Sequence, residues 1–471
     1  MKIVHISAEC YPAAKAGGLA DVVGSLPKYQ NIAGHESSVI MPHYYTRFRN
    51  DNLFEQLFQG SAKIGRHDYP FKVFKLLQNP IGFELFSIEI PGLFDRERIY
   101  SYHDDTERFI TFQVAALNWM KEWEILPEIV HCHDQHTGFV PFMIANIYEY
   151  GRLKEIPTVF TIHNGQYQGQ FGFDRMHYLP PFHSFFTGLI EWDKAINPLA
   201  SAIKCAWEVT TVSPSYMDEI GESMNGLEPL LRAERGKSKG ILNGIDVEVW
   251  NPATDAMLEK NYTLKTVESG KKANKKWLCD QFNLDTKKPL FTFIGRLVGE
   301  KGADLLPEVI YQTLSQHHDK LNVLILGSGE RHIEQALWDL EPQFKGNYCS
   351  YIGYNEKLSH VIYAGADFLL MPSRVEPCGL NQLYALRYGT VPVVRRTGGL
   401  RDTVTDIGDQ GFGICHDQCV TWDIKQAIER AMNLYDAADE FKNIRKQIMQ
   451  IDHSWNRAAL EYIELYQTIK K

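Results

Sequence analysis

Long apolar runs are missing from this 471-residue chain: none approaches the ~18 residues that a membrane helix needs. Positive charge is not in excess either. Forty-nine Lys and Arg stand against 58 Asp and Glu, a net charge of −9, which argues against nucleic acid or an anionic membrane as main partner. The eight cysteines are dispersed and none forms a C-x-x-C pair, so they read as free thiols of a reducing compartment. Residues 1–7 read as a short strand, too brief for the apolar core of a signal peptide, and a cytoplasmic protein is expected. No G-x-G-x-x-G follows that strand, so a nicotinamide-binding reading gains nothing. What is present, 44% hydrophobic and 23% charged, is ordinary globular composition.

At roughly 100–200 residues per domain, the length accommodates two or three domains. Strands alternate with helical stretches throughout, as in parallel α/β layers. In the first half, buried strands are expected at 3–7, 38–41, 129–133, 158–162 and 210–213, each ending in a turn with Gly, Pro, His or Asn. The pattern restarts at Pro289, Val323 and Asp367, and a hinge is placed near 245–252. The expected division is therefore 1–245, 246–453, and a closing helix over 454–471. In that last segment Trp455, Ala459, Tyr462, Tyr466 and Ile469 recur at helical spacing.

Residues 372–403 carry the most chemistry. Glu376 sits in a turn built from Pro377 and Gly379, and Leu380, Leu383 and Leu386 behind it recur at helical spacing up to Gly389. Val391–Val394 reads as a strand, and Thr397-Gly398-Gly399 starts another helix. Two helix N-termini are thus expected at one crevice, each offering N–H groups and a positive dipole end to an anionic leaving group. A carboxylate beside them can hold the hydroxyls of a sugar. Cys378 shares the turn, but nothing places a general base beside it, so it reads as a packing or hydroxyl-contact residue.

Arg296, just past a buried strand, and Lys301, five residues on, suit a diphosphate clamp; the plainer alternative is a surface ion pair with Glu300. Lys15-Ala16-Gly17-Gly18 lets backbone approach a phosphate with Lys15 as a point charge, although Gly-Gly after a strand is also a common helix start. His131-Cys132-His133-Asp134-Gln135-His136 invites a metal reading, but its aspartate falls one place too early for a hydrolytic zinc site. A strand end leading into a helix is preferred, and no metal site is expected. His163 closes another buried strand, and Asn164 and Gly165 form a loop that can aim its carbonyl at developing positive charge. Tyr354 suits either stacking on a nucleobase or core packing.

Taken in order, these motifs resemble bacterial glycogen synthases and plant starch synthases. The matching residues are K-x-G-G-L at Lys15, H-D-x-H at His133, the His163 loop, Asn243 before Gly244-Ile245-Asp246, G-R-x-x-x-x-K-G at Gly295, and the Glu376 turn. The resemblance runs from Lys15 to the terminal helix. It implies an α/β fold of two facing Rossmann-like domains (the GT-B type) with the active site in the cleft between them, and a final helix crossing back onto the first domain. It implies a retaining transfer of glucose from ADP-glucose to the non-reducing end of an α-1,4-glucan such as glycogen.

The same resemblance implies roles. Lys15, Gly17 and Gly18 would meet the donor; Asp134, Asn164 and Asn243 would contact sugar hydroxyls; the His163 carbonyl would face the anomeric centre. Arg296 and Lys301 would hold the diphosphate and Tyr354 the adenine. Glu376, with Cys378, Gly379, Leu380 and Thr397, would surround the glucose. No cofactor and no metal is expected, since Lys and Arg stand in for a divalent ion and Asp104-Asp105 lies in a polar loop. A family donor-site lysine falls where Lys271, Lys272 and Lys275 all fit. The chain departs from the pattern at Gln135, where many members carry Trp, and at Phe94, where Tyr is common. Tyr384 stands where the wider superfamily has a second glutamate, as in glycogen synthases. A transferase using UDP-glucose or a small acceptor, or a non-catalytic glucan-binding relative, are the other readings.

Overall fold

Short runs rich in Ile, Val and Thr become the inner strands of a first sheet. In the computed structural model, which describes residues 1–78 and 80–470, these are β1 (Lys2–Ile6), β2 (Glu36–Pro42), β3 (Phe54–Ile64), β4 (His67–Leu76), β5 (Glu84–Glu89), β6 (Ile129–His133) and β7 (Thr158–Ile162). After a small hairpin, β8 (Glu191–Trp192) and β9 (Ala195–Ile196), come β10 (Glu208–Thr211) and β11 (Ser238–Gly240). Their order is β11-β10-β7-β6-β1-β2-β5-β4-β3. From β11 to β5 all pairs are parallel; β4 and β3 add an antiparallel edge. Strand order reverses at β1, between β6 and β2. In open α/β sheets ligands gather beyond the carboxyl ends at such a point.

The second sheet is wholly parallel: β12 (Leu290–Leu297), β13 (Asn322–Gly329), β14 (Tyr348–Ile352), β15 (Phe368–Met371), β16 (Val391–Arg395) and β17 (Ile414–His416), ordered β14-β13-β12-β15-β16-β17. Its reversal falls between β12 and β15. The chain divides into two units, Met1–Asn243 together with Trp455–Lys471, and Gly244–Ser454.

The closing helix, Trp455–Ile469, follows from its spacing. Trp455, Ala459, Tyr462 and Tyr466 share one face and are buried against Ile3, Val22, Leu26, Ile129 and Val159 of the first unit. Burying each large side chain contributes roughly 1.5–3 kcal/mol, ample to hold a helix that would be marginal in isolation.

The second unit has an ionic interior. Asp367, at the foot of β15, is buried and pairs with Lys275 at 2.7 Å and Arg445 at 2.8 Å. Burial pulls its carboxyl upward, but those two cations and its hydrogen bonds leave it below the usual carboxylate range. Above this cluster the Phe291 and Phe368 rings stack across β12 and β15 at 4.7 Å.

Candidate active site

In the second unit, β12 and β15 deliver their loops side by side. Lys301 Nζ donates to Glu376 Oε1 at 2.7 Å, and Ser373 Oγ donates to Oε2 at 2.8 Å. Glu376 is only 7% exposed, so its charge is balanced by one ammonium and one hydroxyl. Backbone holds this loop in place: the Glu300 carbonyl accepts from the N–H groups of Arg374 and Val375. Arg374 forks onto Asp304, and Arg395 Nη1 reaches the Ser373 and Arg374 carbonyls. Arg296 is the more exposed cation, with Glu300 3.5 Å away; Glu300 also stands 3.9 Å from Lys301. The surface-pair reading and the clamp reading thus meet in one cluster of two cations and two carboxylates.

Glycine is obligatory where the second turn meets the first. A Cβ on Gly398 would lie 2.0 Å from the Glu376 carbonyl, and one on Gly399 would lie 2.1 Å from that of Cys378. Gly398 also has φ +43°. This contact alters the expectation of two open helix N-termini. The Gly399 N–H is spent on the carbonyls of Glu376 and Pro377, at 3.1 and 3.2 Å. The helices at Asn381–Arg387 and Gly398–Thr403 are short, and the second one serves to brace the Glu376 turn. Gln382 Nε2 further pins the carbonyls of Cys378 and Gly379, while Cys378 and Thr397 are buried. Leu380 is the residue from which the first of these helices departs.

Three open questions from the sequence resolve here. Lys271 is buried, its Nζ donating to the carbonyls of Tyr363, Ala364 and Tyr388 and to Thr390, and Lys275 is held by Asp367. Both are interior struts; Lys272 is exposed on the same helix. Tyr354 is 81% exposed, which removes the core-packing reading. Tyr384 stacks on Trp250 at 3.7 Å, and Trp250 on His360 at 4.0 Å, so an aromatic stack fills the place of a second carboxylate.

The first unit presents a different chemistry at the ends of β1, β6 and β7. Glu9, which sequence reasoning passed over, is buried and gathers the glycine loop: Oε2 accepts from the N–H groups of Ala16 and Gly17, and Oε1 from Tyr100. Lys15 pairs with Asp21 at 2.7 Å. Gly17 and Gly18 face open space, with nothing within 4 Å of an added Cβ, so no internal packing demands glycine there.

Asp134 has φ 55°, uncommon for a residue with a Cβ, and its Oδ1 accepts from the His163 N–H at 2.7 Å. It also bonds the Asn164 N–H, which belongs to the same peptide as the His163 carbonyl. Asp134 is thus a brace of the His163 loop as well as a group near hydroxyl reach. Asn164 Oδ1 caps Gln166 N–H within that loop. Asn243 Oδ1 is buried without a hydrogen-bond partner among the described residues. An orphaned acceptor of this kind calls for an external donor such as a sugar hydroxyl.

Nitrogens of His5, His131 and His133 lie within 4.8 Å of one another, the one such triad among the described residues. Each nitrogen is already engaged. His163 Nε2 meets His133 Nδ1 at 3.0 Å, His133 Nε2 meets His5 Nδ1 at 3.0 Å, and His5 Nε2 meets Gln30 Oε1 at 2.9 Å. His131 binds Tyr466 OH and Thr161 Oγ1. A metal would have to break several of these bonds. Burial pushes the imidazoles down, His5 to about 4 and His163 to about 3, so the row is neutral. Phe94 is buried against Tyr44 and Phe109 and beneath the Arg108 guanidinium, out of reach of an acceptor. Gln135 is held by His136 and lines a cavity of about 90 Å³ with Phe109, Phe139 and Phe171. Position 135 itself thus offers an amide and not a ring to a sugar.

Two Rossmann-like sheets, the first with an antiparallel edge and a braced histidine loop and the second with a cation–carboxylate site, define a two-domain glycosyltransferase of the GT-B class. Residues 2–233 match the family model of the starch synthase catalytic domain, and residues 276–447 that of glycosyl transferases group 1. The glycogen synthase of Flavobacterium johnsoniae is 55% identical over 469 residues, covering 100% of this chain and 99% of that one. That of Streptococcus gordonii is 37% identical with full coverage of both. Among solved structures, the catalytic domain of starch synthase IV from Arabidopsis thaliana, bound to ADP and acarbose, superposes with a TM-score of 0.91 at 33% identity, covering 99% of each chain. Sucrose-phosphate synthase from Thermosynechococcus elongatus shares the fold alone, with a TM-score of 0.64 at 15% identity over 99% of this chain and 98% of that one. The chain belongs to the glycogen synthase and starch synthase family of glucosyltransferases.

Proposed function

We propose that this chain transfers glucose from ADP-glucose to the non-reducing end of an α-1,4-glucan, with retention of configuration. The observation that carries the reading is the Lys301–Glu376–Ser373 cluster, built from the loops after β12 and β15 and braced by the glycine turn after β16. Arg296 and Lys301 bind the donor diphosphate, Glu376 and the Cys378–Leu380 turn hold the glucose hydroxyls, and exposed Tyr354 stacks on the adenine. When the bond to the anomeric carbon breaks, its electron pair goes to the diphosphate, where the two cations meet the added charge. Positive charge on the anomeric carbon faces the His163 carbonyl. Asp134, bonded to the N–H of that same peptide, polarises the carbonyl in the useful direction. The glucan 4-hydroxyl attacks the face the leaving group vacates, and its proton passes to the departing phosphate. Neutral His163 serves as a dipole and not as an acid.

Fixed cations replace a divalent ion in this scheme, so EDTA should leave activity intact; strict Mg²⁺ dependence would refute it. Eight free thiols and the absence of any helix long and apolar enough to cross a membrane, among the described residues, support a cytoplasmic enzyme. The deciding assay offers glycogen with labelled ADP-glucose or labelled UDP-glucose. Polymer-bound label from ADP-glucose is expected. Label from UDP-glucose alone, or glycogen binding without incorporation, would overturn the reading.

A further inference from the structure

The hydrogen-bonded row that ends on His163 does not stop at His5. Gln30 Oε1 accepts from His5 and from Ser37 Oγ at 2.7 Å, while Gln30 Nε2 donates to Tyr466 OH at 3.2 Å. Tyr466 OH in turn meets His131 Nδ1 at 2.7 Å, and His131 Nε2 meets Thr161 Oγ1 at 2.6 Å, which touches Thr210 Oγ1 at 2.6 Å. Every member is buried, and Tyr466 lies on the closing helix, 303 residues from His163 in sequence (466 − 163).

Direction propagates along such a row. A neutral imidazole donates from one nitrogen and accepts at the other, so one fixed end fixes all. With Gln30 Oε1 as acceptor, His5 carries its proton on Nε2 and accepts at Nδ1. His133 therefore carries Nε2–H, and so does His163, which leaves His163 Nδ1 as a bare acceptor. Rotating the Gln30 amide would reverse every bond and move the His163 proton to Nδ1. The amide is held in this sense when Ser37 Oγ donates to Oε1 and the Tyr466 hydroxyl, accepting from Nε2, gives its own proton to His131 Nδ1.

We propose that Tyr466 and Gln30 are positioning residues: through His5 and His133 they fix His163 as the Nε2–H tautomer and lock its ring, so that the closing helix sets the active-site loop. The functional consequence rests on the reading above, in which the His163 carbonyl faces the anomeric carbon. The tautomer itself does not depend on that reading.

Long-range ¹H–¹⁵N spectra of ¹⁵N-histidine-labelled enzyme test the relay, with His163 assigned by its loss in His163→Asn. The wild type should show His163 purely as Nε2–H. Tyr466→Phe removes one hydroxyl and frees the amide, so both tautomers should appear, and kcat should fall about tenfold with donor KM unchanged, the scale of one lost buried hydrogen bond. Leu465→Ala loosens the same helix without touching the row and should keep the single tautomer. An unchanged tautomer in Tyr466→Phe, or the same mixture in Leu465→Ala, would overturn the proposal. Should Tyr466→Phe not fold, the wild type alone decides: an Nδ1–H His163 contradicts the stated direction. If the enzyme proves inactive on ADP-glucose, the spectra still judge the relay while the assay judges the function.

Discussion

The two units solve the same problem with opposite chemistry. Around β1, β6 and β7 the interior is dominated by neutral imidazoles, amides and hydroxyls that pass one hydrogen bond to the next, with the Glu9 and Asp134 carboxyls held by backbone N–H groups at the strand ends. Around β12 and β15 they are ionic, with Asp367 between Lys275 and Arg445, and Glu376 on Lys301. Neutral rows give direction and shape but no field, which suits a carbonyl aimed at a carbon. Paired ions hold charge ready for a leaving group that arrives charged. The difference matches the division of labour proposed above, with the acceptor on the first unit and the donor on the second.

The sharpest way to break this comparison is to remove charge from the donor side. Glu376→Ala should lower kcat by about 10³-fold or more, because it takes away the proposed sugar anchor and leaves Lys301 with only the more distant Glu300, 3.9 Å away. Glu300→Ala should cost only a few-fold, since the backbone carbonyl of Glu300, not its side chain, holds the 373–376 loop. Equal losses in steady-state assays would remove Glu376 from its assigned place.

Next in size is the ionic interior. Asp367→Asn takes the one carboxylate partner from buried Lys275 and leaves Arg445 with Glu268 alone, and should destabilise the second unit by about 3–5 kcal/mol in denaturant titration. Lys276→Met, which breaks the exposed Lys276–Asp280 pair, should change it by less than about 1 kcal/mol. Glycines sharpen the contrast further. Gly399→Ala forces a Cβ into the Cys378 carbonyl and should cost roughly 1–3 kcal/mol together with most of the activity. Gly17→Ala should leave thermal stability unchanged and raise donor KM, because only an incoming ligand needs that space.

Acid sensitivity separates the two units without any substitution. Buried histidines of the first unit, His5 at about 4 and His163 at about 3, sit below the ordinary 6.5, so the folded state holds fewer protons than the unfolded chain between those values. The histidine contribution is therefore full above pH 6.5 and declines as pH falls toward 4, by roughly 1 kcal/mol per pH unit for each histidine, while the Asp134 carboxyl, raised by burial to about 7, works in the opposite direction and offsets about one histidine across that window. Asp367, held below its usual 3.8, keeps its contribution until the pH drops past that value. Hydrogen exchange at pH 7, 5.5 and 4.5 should show β1, β6 and β7 losing protection before β12 and β15. The reverse order would show the histidine row to be charged or loosely packed.

Much of this was legible in the sequence because it is periodic or clustered. The inner parallel strands are short runs rich in Ile, Val and Thr, and the closing helix announces itself by its 3.6-residue spacing. Glu376, Arg296 and Lys301 lie in compact loops whose glycines punctuate the pattern. The β3–β4 edge was not legible: exposed and half-buried residues are mixed along it and alternate weakly. Glu9 and the row from Tyr466 to His163 were hidden for another reason. Their partners lie 7 to 436 positions apart, and nothing local marks a histidine as one link in a chain. Lys271 and Lys275 looked like site lysines because burial, not composition, decides whether an ammonium meets ligand or backbone.

A crystal structure of the enzyme with intact ADP-glucose bears most directly on the donor site. Diphosphate oxygens should lie within hydrogen-bond distance of Arg296 and Lys301, with glucose hydroxyls on the Glu376 carboxylate and the adenine against Tyr354. A diphosphate seated elsewhere, with Glu376 untouched by the sugar, would contradict the account.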